Sequence, residues 1–126
     1  MILLDTSVLI DAFCGPRRSA AALRNAIERC ERMLLTTLVL YEWYRGPRLK
    51  RELEAQEALF PAEAALSFGP REASLAAELY RAVSRPRSRE TDLAIAACAL
   101  MTDADLWTLN VSDFRGIPGL RVSRPY

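Results

Sequence analysis

Histidine is missing from this chain altogether. That absence excludes a Ser-His-Asp triad, a Cys-His pair, a histidine acid/base nuclease and His-ligated zinc catalysis. Lysine is nearly missing too, with Lys50 the only one among 17 basic residues. Arginine in its place suits bidentate phosphate recognition, although GC-rich coding gives the same excess alongside many alanines. Cysteine is sparse: Cys14, Cys30 and Cys98 are odd in number and form no C-x-x-C, so neither a disulfide framework nor a zinc site is indicated. No apolar run approaches the ~20 residues of a membrane span. Met1-Ile2-Leu3-Leu4 meets Asp5 too early to be a signal-peptide apolar region. These absences set the expectation of a reducing cytoplasm and no membrane partner.

Charge of one sign is not in excess either. Against 17 basic residues stand 16 acidic ones, a formal net charge of +1, so any preference for nucleic acid must come from local clusters. Internal repeats, low-complexity tracts and linkers are absent. The 126 residues, 51% of them hydrophobic, suffice for one core, and a single domain over 1–126 is expected.

What is present alternates between short apolar runs and helical patterns. Residues 2–4 read as a buried strand, and Asp5-Thr6-Ser7 opens an apolar helix through Phe13 that Gly15-Pro16 ends. Residues 19–32 repeat apolar positions at helical spacing. A second strand is expected at 33–36, helices at 38–45 and 48–59, a third strand at 64–68 and a helix at 72–83. A basic loop, Ser84-Arg85-Pro86-Arg87-Ser88-Arg89, precedes a helix at 93–101 that is apolar all round. Strands at 105–109 and 120–122 complete the pattern. Short strands alternating with helices predict an α/β fold whose parallel sheet is covered on both faces.

Asp5, Glu42, Asp92 and Asp113 each fall at the edge of an apolar segment. In such folds the carboxyl ends of the strands and the adjoining helix starts form the ligand crevice, where acids remote in sequence converge. Converging acids repel, and a hard cation such as Mg²⁺ or Mn²⁺, which takes oxygen ligands and keeps several waters, relieves that repulsion. Each acid also has a plainer reading. Asp5 and Asp92 could cap helices, Asp113 could form an Asx-turn after Asn110, and Glu42 could pair with Arg45 at a wet edge. Glu42 is the hardest to explain away, because Leu40, Tyr41, Trp43 and Tyr44 surround it.

Taken together, Leu3-Leu4-Asp5-Thr6-Ser7-Val8-Leu9-Ile10, the mid-chain Glu42, Asp92-Leu93-Ala94-Ile95-Ala96-Ala97-Cys98-Ala99, Leu106-Trp107-Thr108-Leu109-Asn110-Val111-Ser112-Asp113-Phe114 and Ile117-Pro118-Gly119-Leu120 resemble the PIN-domain ribonucleases. Within them the chain is similar to the VapC toxins of toxin–antitoxin pairs, over nearly its whole length. The resemblance implies a three-layer α/β/α sandwich around a short-stranded parallel sheet. It carries the family's acidic quartet onto Asp5, Glu42, Asp92 and Asp113, with Glu42 placed by helix and order alone. Thr6, Ser7, Thr108 and Asn110 would be the hydroxyl and amide residues near the metal, or structural caps and turn formers. Glu90 either joins the site or is solvated charge at a helix start.

The activity implied is hydrolysis of an RNA phosphodiester by metal-activated water, leaving a 5′-phosphate and a 3′-hydroxyl. Arg45, Arg48, Lys50 and Arg51, or Arg85, Arg87 and Arg89, are the local basic clusters available to RNA, or else plain solvated surface. The resemblance further implies a homodimer and a VapB-like antitoxin partner. Residues 38–59, with Leu40, Trp43, Tyr44 and Leu49, are the surface expected to meet them. A PIN nuclease of RNA processing and a degenerate binding scaffold are the alternatives; the intact quartet speaks against the second.

Overall fold

The structure, a computed structural model, describes residues 1–126. At its centre lies β1 (Ile2–Leu4), buried at every position as expected of a strand covered on both faces. It pairs in parallel with β2 (Met33–Leu34) on one side and with β3 (Asp105–Trp107) on the other; β3 in turn pairs in parallel with β4 (Val122–Ser123), giving the order β2-β1-β3-β4. Flanking the sheet are α1 (Thr6–Phe13), α2 (Arg18–Glu28), α3 (Thr37–Arg45), α4 (Lys50–Leu59), α5 (Pro70–Ala82) and α6 (Glu90–Met101). The architecture is the α/β sandwich expected from the sequence.

From β1 the chain winds to β2 on one flank, then crosses to β3 on the other. Winding therefore reverses between β1 and β3, and a crevice opens outside the carboxyl ends of strands at such a switch point. Two backbone bonds continue the strand pairing into it, from Asp5 N to Trp107 O at 2.9 Å and from Thr108 N to Ser123 O at 3.0 Å. Asp5 and Thr108 thus stand at the mouth of the sheet.

The helices are fixed by local chemistry. Thr36 caps α3 by accepting from Val39 N at 3.1 Å. Buried Asp11, in α1, reaches over the Gly15-Pro16 turn to accept from Ser19 N at 2.7 Å, supplying the cap that Arg17 at φ 68° does not. Trp43 is fully buried, and the Arg48 guanidinium lies 4.3 Å from its ring centroid. A Cβ on Gly46 would come within 2.7 Å of that guanidinium, so glycine there permits the stack. In α6 residues 93–99 are all buried, and small Ala94, Ala96, Ala97 and Ala99 let α5 and the sheet approach closely.

Two expectations need correction. The strand predicted at 64–68 is a 3-10 turn, Ala62–Ala64, followed by one isolated parallel bridge between Thr36 and Leu66. Leu66 N donates to Leu35 O at 2.8 Å and Leu66 O accepts from Thr37 N at 2.9 Å, but α3 begins at Thr37, so no partner strand remains to extend the pairing. The expected partner surface also changes. Leu40 and Trp43 belong to the core at 6% and 0% exposure, whereas Tyr41, Tyr44 and Leu49 face outward. Helix periodicity sets which residues share a face; packing of α3 against α1 and α6 decides which face is inside. The remaining element ends shift by a few residues, as helix and strand termini commonly do.

Candidate active site

Asp5 occupies the N-cap position of α1, yet its side chain makes no capping bond. Its Oδ2 instead accepts from Thr108 Oγ1 at 2.7 Å and from Ser7 Oγ at 3.0 Å. Those hydroxyls are themselves held: Ser7 Oγ accepts from Leu109 N at 3.0 Å, and Thr108 Oγ1 accepts from Asn110 N at 3.0 Å. The ends of β1 and β3 are thereby tied together around one carboxylate, 7% exposed. A cap does not explain that arrangement.

Glu42, one turn from the end of α3, accepts at Oε1 from Thr6 Oγ1 at 2.8 Å. Its Oε2 lies 3.7 Å from an Arg45 nitrogen, with 22% of the Glu42 side chain exposed against 59% of Arg45. So the pair with Arg45 exists, but it is loose, and Glu42 is oriented by a residue 36 positions earlier. Asp92 sits in the first turn of α6 rather than at its N-cap, which is Arg89. Asp113 is exposed on a 3-10 turn, Val111–Phe114, that Phe114 anchors in the core at 2% exposure.

These elements bring all four acids to one cavity of about 340 Å³, which Thr6, Ser7 and Asn110 also line and Ile10 and Arg45 border. Burial, and then repulsion from Asp5, Asp113 and Glu42, pushes the Asp92 carboxyl up to about 6, with Arg89 opposing. The charged form of Asp92 is thus disfavoured where it stands. Its donors are oxygens throughout, the set that hard divalent cations take. No three of the acids stand close enough to form a ready chelate. The fit to such a metal is therefore one of donor chemistry, carboxylate oxygens lining a polar cavity, for an ion that keeps several waters of its own.

A second, wider groove of about 830 Å³ shares Asp92 and Asp113 with the cavity and has no hydrophobic lining residue. Arg85, Arg89 and Arg115 are among its lining residues. Of the basic residues considered from sequence, Arg45 borders the cavity and Arg85 and Arg89 line this groove. Arg48 is stacked on Trp43, Lys50 pairs with Glu54 at 3.9 Å and Arg51 lines a separate small cavity beside Phe13. Arg87 faces another shallow depression with Tyr80. Glu90 lines an apolar groove between α3, α5 and α6 and does not reach the carboxylates. Arg115 escaped the sequence reading, although its place two residues after Asp113 was the available signal; Ile10 escaped it because it reads as helix core.

The chain matches the PIN domain family over residues 2–119. It is 33% identical to Ribonuclease VapC19 of Mycobacterium tuberculosis over 128 residues, covering 96% of this chain and 98% of the relative. Among solved structures, DNA-bound VapBC from Salmonella typhimurium superposes with a TM-score of 0.79 at 20% identity, covering 99% of this chain and 98% of that one. A toxin–antitoxin complex from Klebsiella pneumoniae superposes with a TM-score of 0.71 at 26% identity, covering 100% and 98%.

Proposed function

Because this chain belongs to the PIN-domain family and, within it, to the VapC ribonucleases, we propose that it is a metal-dependent endoribonuclease acting as the toxin of a toxin–antitoxin pair. The observation that carries the reading is the convergence of Asp5, Glu42, Asp92 and Asp113 on one cavity at the sheet's switch point. These acids are the catalytic and metal-holding residues of the proposal, with Mg²⁺ or Mn²⁺ as the ion. Such an ion, when bound, lowers the pKa of a coordinated water and offsets charge developing on the phosphate.

The protein's own groups do the placing. Thr108 and Ser7 aim Asp5 into the cavity, and Thr6 does the same for Glu42. Water attacks phosphorus, the bond to O3′ breaks, and the products are a 5′-phosphate and a 3′-hydroxyl. Arg45 at the rim and Arg85 and Arg115 of the polar groove offer cations to the flanking phosphates.

For partners we propose a VapB-like antitoxin and a second copy of this chain, meeting the outward Tyr41, Tyr44 and Leu49, exposed by 62%, 50% and 52%. The solved relatives that are toxin–antitoxin complexes support this reading. No helix is long and apolar enough to cross a membrane. Exposed free thiols at Cys14 and Cys30 favour the cytoplasm. The deciding experiment incubates purified protein with RNA in Mg²⁺, Mn²⁺ or EDTA and maps the ends. Metal-dependent cuts with 5′-phosphates are expected; cleavage that persists in EDTA and in Asp5→Asn would refute the mechanism.

A further inference from the structure

The Arg89 guanidinium is spent on backbone. Its Nη2 donates to Arg115 O at 2.6 Å, its Nε to Asp113 O at 3.1 Å and its Nη1 to Ser84 O at 3.4 Å. A rigid planar fork with donors on every nitrogen can reach three carbonyls at once, and charge strengthens each bond. The carbonyls belong to two segments, the basic loop before α6 and the turn that carries Asp113. Arg89 itself ends the 3-10 turn Pro86–Arg89 and directly precedes α6, whose first turn holds Asp92.

Without Arg89 the Asp113 turn has mainly local ties. Asp113 N bonds Asn110 O at 2.9 Å, Arg115 N bonds Ser112 O at 3.3 Å, and the Phe114 ring is sunk in the core. None of these links it to α6 by a hydrogen bond. We propose that Arg89 is a positioning residue that fixes Asp113 against Asp92 by stapling their two backbone segments, and that Arg85 and Arg115 alone of this groove's arginines meet substrate phosphates. The proposal rests on the ribonuclease reading for its second half only. Arg85 and Arg115 line the same groove and form no ion pair, so their guanidiniums are free for anions.

The two roles respond oppositely to lysine. A point-charge contact to phosphate keeps its charge in an Arg-to-Lys change, whereas one ammonium cannot span three carbonyls. The test compares Arg89→Lys and Arg89→Gln with Arg85→Gln and Arg115→Gln. Backbone hydrogen exchange over 111–116 is measured on metal-free protein, and steady-state cleavage of a single-stranded RNA oligonucleotide in Mn²⁺. Both Arg89 variants should speed exchange in that segment and lower kcat by about 10–100-fold with little change in RNA KM. Lysine should be no better than glutamine. Arg85→Gln and Arg115→Gln should raise KM while exchange stays as in the parent. Unchanged exchange in both Arg89 variants, or parental kcat in Arg89→Lys beside a raised KM in Arg89→Gln, would overturn the staple. If the parent protein cuts no RNA, the proposed activity fails and the exchange data still decide the staple. Should Arg89→Gln not fold, Arg89→Lys, which keeps stem and charge, supplies both readouts.

Discussion

Asp5 is 7% exposed and receives two hydroxyl hydrogen bonds at the ends of adjacent strands, whereas Asp113, on the other flank of the same cavity, stands exposed on a 3-10 turn. On the first flank every aiming group is a side chain just past a strand end or in the first turn of α1: Thr108, Ser7 and, for Glu42, Thr6. On the second flank the segment is held through main-chain carbonyls by Arg89. One half of the cavity is as rigid as the sheet, and the other is as rigid as a loop and its staple. A site divided in this way can keep its acids fixed on one side and adjust the other to a bound ion or substrate, since loop segments open at lower free energy than core strands.

Removing an acid from the rigid flank should have the largest effect. Asp5→Asn is expected to lower kcat/KM for RNA on the order of 10³-fold, since on the proposed mechanism it removes a metal-ligand charge worth several kcal/mol in the transition state. Thermal unfolding without metal should be unchanged or higher, because the asparagine oxygen still accepts from Ser7 and Thr108 and one repelling charge is gone. A clear loss of stability would return Asp5 to a structural role.

Glu42→Gln should come next. Growth inhibition on expression without antitoxin and cleavage in vitro should disappear together while the fold is kept. Full toxicity would reduce Glu42 to the partner of Arg45. Thr108→Val tests whether the hydroxyl scaffold, rather than the acid alone, matters. Loss of an aiming group should cost about 10–100-fold in activity or metal affinity, with Thr108→Ser restoring most of it.

Asp92 lies between the flanks and yields a smaller, pH-dependent signal. Its carboxyl is raised from 3.8 to about 6, by burial first and then by Asp5, Asp113 and Glu42. Between those values the folded protein holds a proton that the unfolded chain releases, so metal-free stability falls as pH rises through this window and stays lower above it. Asp92→Asn should therefore raise the metal-free Tm at about pH 7.5 and leave it nearly unchanged at about pH 4, followed by calorimetry. The smallest effect is expected at the rim: Arg45→Gln breaks an exposed pair and should change stability by about 0–1 kcal/mol.

Much of this was legible from residue order. The strand-to-helix position of Asp5 and the helix-start position of Asp92 followed from apolar runs and their breaks, and the parallel sheet followed from alternation. Less was legible where a decision depended on distant neighbours. Capping and site roles for Asp5 predict the same local sequence, and only the position of Thr108, 103 residues later, separates them. The arginine clusters looked alike in sequence, yet Arg48 stacks on a buried indole, Arg89 is bound to carbonyls and Arg85 is free. At 64–68 the residue types suited a strand, but α3 starts where its partner would have continued.

The sequence by itself limited the chemistry available: it has no histidine and sets acids at the ends of apolar segments, so the donors it brings there are carboxylate oxygens. It also determined the order of elements, because side-chain periodicity and backbone breakers act over a few residues. Tertiary structure alone decided which acids converge, which hydroxyls aim them, which arginines stay free and which face of α3 is buried. Those outcomes depend on contacts between residues tens to a hundred positions apart, and only the folded sheet brings such residues within hydrogen-bond reach.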